Sequence, residues 1–89
     1  MPNSSEFLAA CQYVKKLTSY PTDDELLILY GYYKQATVGN VNVSQPNIIN
    51  FKEYHKWRAW NNNNGLSQYD AEVKYILYVN EMIQKYGIC

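Results

Sequence analysis

Residues 30–40 read YGYYKQATVGN. Three tyrosines, a glycine and a lysine fill five positions, and a glycine–asparagine pair closes the stretch. On a helix Tyr30, Tyr33 and Lys34 stand at i, i+3 and i+4, so they neighbour one another on one face. Tyr32 points to the other side, toward solvent or another helix. Leu26 and Leu27 lie a turn or two earlier, so the face runs from aliphatic to aromatic to cationic. Two readings fit this pattern. In one, the leucines and tyrosines are core and Lys34 reaches out from its rim. In the other, aromatic faces and a positive charge stand together to hold a ligand. A single tyrosine favours the first reading; the cluster balances the two.

The sequence around the stretch predicts the helix that carries it. Thr22 and Glu25 have capping-box spacing, and Asp23, Asp24 and Glu25 are acids in a first turn, where the helix dipole favours them. The helix should run from Asp23 to Ala36 or Val38, with Gly39 as a left-handed C-cap. Upstream, Asn3 and Glu6 suggest the cap of a first helix. Its face is Phe7, Ala10, Cys11, Val14 and Leu17 at helical spacing, and SYPT ends it because Pro21 disfavours helix at Tyr20. Downstream, NVNVSQPNIIN (40–50) is a long connection. Its VNV alternates like a strand but has no partner, and Pro46 follows, so it reads as an ordered loop whose apolar residues pin it to the bundle. A third helix starts after Asn50, with Glu53 at N3, and carries FKEYHKWRAW. NNNNG (61–65) ends it and reads as a solvated turn. Ser67 and Asp70 open a fourth helix whose Ala71, Tyr75, Tyr78, Val79, Met82 and Tyr86 share one side, and Tyr86-Gly87 closes it. The prediction is a single domain over residues 1–89, an all-α four-helix bundle with one long and two short connections.

Composition narrows the function. Eight basic and eight acidic residues give a formal net charge of zero. A generic nucleic-acid binder, which must neutralise many phosphates, is therefore not expected; one small anionic ligand met by a few lysines still is. With two cysteines and one histidine, no structural zinc site is expected. Cys11 reads as a small buried helix residue and Cys89 as a terminal thiol, in keeping with a reducing compartment. No apolar run is long enough to cross a bilayer, and the start MPNSSEF has no basic or apolar leader pattern, so a cytoplasmic protein is the expectation.

The third helix repeats the theme of the second. Lys56 and Trp57 are adjacent and Trp60 follows one turn on; both tryptophans read as core anchors. Tyr75 and Lys15 are candidates of the same kind on the fourth and first helices, unremarkable singly. A ligand with a flat ring, several phosphates and an apolar part would use such a set, because aromatic faces stack a base and lysines meet phosphate as point charges. No phosphate-loop, dinucleotide or serine-elbow motif is present. His55 reads as a surface residue, so the site should bind rather than react. A helical protein-interaction module, favoured by the excess of aromatics, is the second reading. A third, an enzyme, would have to use His55 or Cys11.

YGYYKQATVGNVN (30–42), FKEYHKWRAW (51–60), GLSQYDAEVKYI (65–76) and KYGI (85–88), in this order and with small gaps, make the chain resemble the acyl-CoA-binding proteins from Phe7 to Ile88. The resemblance implies an up-down-down-up bundle with its long crossover between the second and third helices. It implies a monomeric, non-catalytic carrier and pool former for long-chain acyl-CoA, with no cofactor, no metal and no nucleic-acid partner, and with room for transient membrane contact. By position, Tyr33 would stack on adenine, and Lys34 with Tyr30 and Lys56 would hold the 3′-phosphate. Tyr75 would close over the adenosine, Lys15 would lie near the head group, and Leu26 and Leu27 would touch the acyl chain. Tyr20 and Gln45 depart from the pattern, standing where basic residues are frequent. Asn61–Asn64 replace a more mixed turn.

Overall fold

The computed structural model describes residues 3–89. Its helices are α1 (Ser5–Tyr13), α2 (Asp23–Thr37), α3 (Phe51–Asn61) and α4 (Gln68–Tyr86), with a single 3-10 turn, Val14–Lys16, after α1. The start of α2 is the expected capping box: Thr22 Oγ1 accepts from Glu25 N, and the Glu25 carboxylate accepts from Thr22 N. Ser67 caps α4 through Asp70 N. Gly39, at φ 98°, follows α2 in the left-handed region and donates to the Gln35 carbonyl.

The first helix departs from expectation at both ends. Its cap is Ser4, whose Oγ accepts from Phe7 N at 3.1 Å, not Asn3. The Asn3 amide instead donates to the Ala36 carbonyl and to the Glu72 carboxylate on α4, which also accepts from Ser4 N. Glu72 is buried, and a buried carboxylate must be hydrogen-bonded; that demand takes Asn3 away from the helix. The α-helix then stops at Tyr13 instead of running to Leu17. Leu17 is extended, at ψ 139°, and pairs with Ile88 beyond the end of α4. Thr18 N donates to the Gly87 carbonyl and Cys89 N to the Lys16 carbonyl.

Side-chain contacts fix the helix directions. Ser4 meets Glu72 and Phe7 meets Tyr75, so α1 and α4 run parallel. Glu25 meets Lys85, Tyr32 meets Tyr78 and Ala36 meets Gln68, so α2 runs against α4. Tyr30 meets Lys56 and Gly31 meets Ala59, so α2 and α3 are parallel. The arrangement is up-down-down-up. A parallel pair cannot be joined by a tight turn, because the chain must travel back along the helix; residues 38–50 do so. The core gathers Phe7, Leu29, Ala36, Ala71, Tyr75 and Val79.

The crossover is pinned by only part of its apolar set: Val41 and Pro46 are half-buried. Val43, Ile48 and Ile49 are exposed, Ile49 to 85%. Polar groups hold the loop, whose backbone needs hydrogen-bond partners wherever it lies on protein. Trp57 Nε1 donates to the Val43 carbonyl at 2.8 Å and Trp60 Nε1 to the Gly39 carbonyl at 2.7 Å. Asn40 Oδ1 accepts from buried Gln35 and from Gly65 N. Trp60 is thus a buried anchor as expected, whereas Trp57 is only half-buried. The asparagine run is also less solvated than its composition suggests: Asn63 is half-buried and donates to the Ala59 carbonyl.

Gly31 sets the closest approach of α2 to α3. A Cβ at this position would lie 2.4 Å from the Ala59 carbonyl oxygen and 2.9 Å from Asn63 Nδ2. Gly31→Ala gains ~1 kcal/mol of helix propensity. It must also push a backbone aside, and overpacking of this kind costs ~1–3 kcal/mol. We predict a net loss of stability, seen as a melting temperature lowered by several degrees with helix content retained; an unchanged or raised value would show that α3 yields freely.

Glu25 joins the start of α2 to the end of α4, accepting from Lys85 Nζ at 2.8 Å and from the Tyr86 hydroxyl. The Lys85 hydrogen bond, then those from Tyr86 and from the Thr22 backbone, hold its carboxyl at about 2. A carboxylate whose folded value lies below its unfolded one stabilises above the unfolded value and loses that contribution as pH falls through the folded one. Acid titration from pH ~4.5 to ~2 should therefore melt the wild type more steeply than Glu25→Gln, and parallel curves would remove Glu25 from the acid transition.

Candidate functional site

A groove of about 430 Å³ opens between α2 and α3. Leu26, Leu27 and Tyr30 form its α2 wall; Phe51, His55 and Lys56 form the α3 wall. Their positions follow from the parallel packing, which brings two faces at i, i+1, i+4 spacing into register. The Lys56 Nζ stands 5.0 Å from the Tyr30 ring centroid, and 3.9 Å from the Glu53 carboxylate. One turn further along α2, the Lys34 Nζ stands 4.8 Å from the ring of Trp60. Two of the three lysines singled out in the sequence, Lys34 and Lys56, therefore rest on aromatic faces. Such a contact is worth ~0.5–1 kcal/mol when exposed, and a hydrogen bond to a charged group ~1.5–3 kcal/mol. An arriving phosphate can draw both ammonium groups away from their rings.

A second cavity, of about 370 Å³, adjoins the first, and Leu26 lines both. Lys15, Tyr20 and Tyr75 belong to it. Tyr75 is almost wholly buried, at 4% exposed, with its ring 5.0 Å from Phe7 and 6.1 Å from Tyr33. Phe7 also lies nearly parallel to Tyr33, at 6.0 Å and 22°. Tyr33 is held from behind by two rings and still 42% exposed, so an aromatic surface is presented in a fixed pose. Burial, with the nearby Glu53 charge second, raises the Tyr30 phenol, and burial, with Cys11 second, raises that of Tyr75. Both stay protonated and able to donate at neutral pH.

The fold distributes the eight residues named from sequence over three neighbouring places. Tyr30, Lys56, Leu26 and Leu27 line the α2–α3 groove; Lys15 and Tyr75 line the adjoining cavity, with Leu26 common to both. Tyr33 and Lys34 stand on α2 outside both cavities, against Phe7 and Tyr75 and over Trp60 respectively. Sequence reasoning missed Phe51 and His55 as groove walls, and Phe7 and Trp60 as supports. The signal for the first two was present: Phe51, Lys52, His55 and Lys56 recur at i, i+1, i+4, i+5, one helical face. Nothing local distinguishes that face from an ordinary solvated one.

Cys11 is half-buried rather than buried, and both cysteines are free. Burial pushes the Cys11 thiol up, outweighing the lowering effect of the neighbouring Tyr75 hydroxyl, so it is not a thiolate at neutral pH and is a poor nucleophile.

The bundle brings apolar walls, aromatic faces and ring-seated lysines together along one helix pair. The family model for acyl CoA binding protein matches residues 4–79, and the chain belongs to that family, whose members are binding proteins and not enzymes. Acyl-CoA-binding protein 2 of Saccharomyces pastorianus is 51% identical over 74 residues, covering 83% of this chain and 85% of that one. The crystal structure of Oryza sativa acyl-CoA-binding protein 2 is 38% identical, with a TM-score of 0.86 over 90% of this chain and 87% of that chain. The solution structure of acyl coenzyme A binding protein from yeast is 46% identical, with a TM-score of 0.74 over 96% and 99%.

Incubation with palmitoyl-CoA should release no free thiol above the uncatalysed rate. Release that disappears in Cys11→Ala or His55→Ala would instead establish chemistry at the site.

Proposed function

We propose that the protein binds long-chain fatty acyl-CoA esters one to one and serves as a monomeric cytoplasmic carrier and pool former. The single observation that carries this reading is the pairing of two ring-seated lysines with an apolar groove: Lys56 over Tyr30 stands on the groove itself, and Lys34 over Trp60 one turn away. A long acyl chain needs the apolar wall of Leu26, Leu27 and Phe51, where burial is worth ~25 cal/mol per Å². The nucleotide end needs cations and a flat ring. In this reading Tyr33 stacks on adenine; Lys34, Tyr30 and Lys56 hold the 3′-phosphate; Tyr75 and Lys15 bound the adenosine side. No cofactor or metal takes part, and nucleic acid is not a partner. Transient membrane contact fits the exposed Ile48, Ile49 and Phe51 beside the groove. Among the described residues no helix is long and apolar enough to cross a membrane.

The test is calorimetric titration of delipidated protein with palmitoyl-CoA below its micelle concentration, with coenzyme A and palmitate as controls. Tight one-to-one binding of the ester alone is expected. Lys56→Ala and Tyr33→Ala should each weaken it by about tenfold or more with helix content unchanged. Wild-type affinity in a folded variant would remove that residue from the site, and no binding of the ester at all would overturn the reading.

A further inference from the structure

A larger concavity, of about 550 Å³, lies on the other flank of the α2–α3 seam. Leu27 and His55 are walls of both it and the apolar groove, so the two spaces meet at these side chains. The character of the walls changes there. The groove is mostly apolar, with Leu26, Tyr30 and Phe51 and with Lys56 at its edge; the second space is mixed, with Asp24, Arg58 and Asn62 beside Ile28 and Ala59. Among the described residues the ion pairs are Lys56 with Glu53 and Lys85 with Glu25. Asp24 and Arg58 therefore face one cavity from different helices without closing an ion pair across it. Arg58 spends one donor on the Tyr54 hydroxyl, at 3.1 Å, and a guanidinium has five.

An acyl chain that fills the apolar groove and passes Leu27 and His55 enters this more polar space. A methyl end gains less there than against Leu26 and Phe51. A hydroxyl is complementary to it, since it accepts from Arg58 or Asn62 and donates to Asp24. A carboxylate would be drawn by Arg58 and repelled by Asp24. We propose that this cavity is a subsite for a polar chain end and that the protein accepts ω-hydroxyacyl-CoA esters, with Arg58 and Asp24 as the recognising pair. The inference rests on the acyl-CoA reading above.

The test titrates hexadecanoyl-CoA and 16-hydroxyhexadecanoyl-CoA into wild type, Arg58→Ala and Asp24→Asn, with circular dichroism to confirm the fold. Wild type should bind the hydroxy ester at least as tightly as the plain one. Arg58→Ala should weaken the hydroxy ester by up to about tenfold and leave the plain ester unchanged; Asp24→Asn should act in the same direction, more weakly. A wild-type penalty of tenfold or more against the hydroxyl overturns the subsite, as does an equal effect of Arg58→Ala on both esters. Because the plain ester is titrated alongside, binding of it without the hydroxy ester removes only the subsite. Binding of neither removes the acyl-CoA reading as well.

Discussion

The contact of Gly31 with the Ala59 carbonyl is the constraint from which the site follows. Only a residue without a Cβ lets the α2 backbone come this close to α3. At this point the two helices are fixed side by side; nearer their N-terminal ends larger side chains leave the space that becomes the apolar groove, while the second cavity runs past Ala59 to Asn62. Because the pair is parallel, the residue offset stays nearly constant along the seam: position 30 meets 56, 31 meets 59 and 34 meets 60. The aromatic–cationic face of α2 is thereby set against the cationic–aromatic face of α3. The crossover is the consequence of parallel packing, and the indole donors of Trp57 and Trp60 tie it down.

The far side of α2 is held as firmly as the near side. Glu25 fastens its first turn to Lys85 and Tyr86 at the end of α4, and Gln68 and Asn3 reach the carbonyl of Ala36 at its other end. A helix clamped at both ends presents Tyr30, Tyr33 and Lys34 with little freedom to lose. Ordering side chains on binding costs ~0.5–1.5 kcal/mol each, so a surface already backed by Phe7, Tyr75 and Trp60 retains more of each contact as affinity. Cys11 is a protonated thiol behind the aromatic surface and so lacks the activation that a nucleophile needs.

Electrostatics complete the division of labour. With a net charge of zero, long-range attraction does not bring an anionic ligand in; the site relies on local placement. Lys34 and Lys56 rest on ring faces, Lys56 also 3.9 Å from the Glu53 carboxylate, whereas Lys85 is committed to Glu25 at 2.8 Å.

The sequence by itself determined the four helices, three of their starts, and the one-face grouping of Tyr30, Tyr33 and Lys34. Caps, periodicity and breakers are local, and local sequence encodes them. It also determined the family, through four motifs in order. Tertiary structure decided where local preference had a competitor. Asn3 left its cap for buried Glu72, and Leu17 left its helix to pair with Ile88. The crossover was held by indole and amide hydrogen bonds rather than by its isoleucines. It also decided the site's walls. Phe51 and His55 are groove residues only because α3 runs parallel to α2 in this register, and Tyr75 is a buried support because Phe7 crosses it from α1. Which faces meet is a property of the packed bundle, since each amphipathic helix alone is satisfied by any apolar partner.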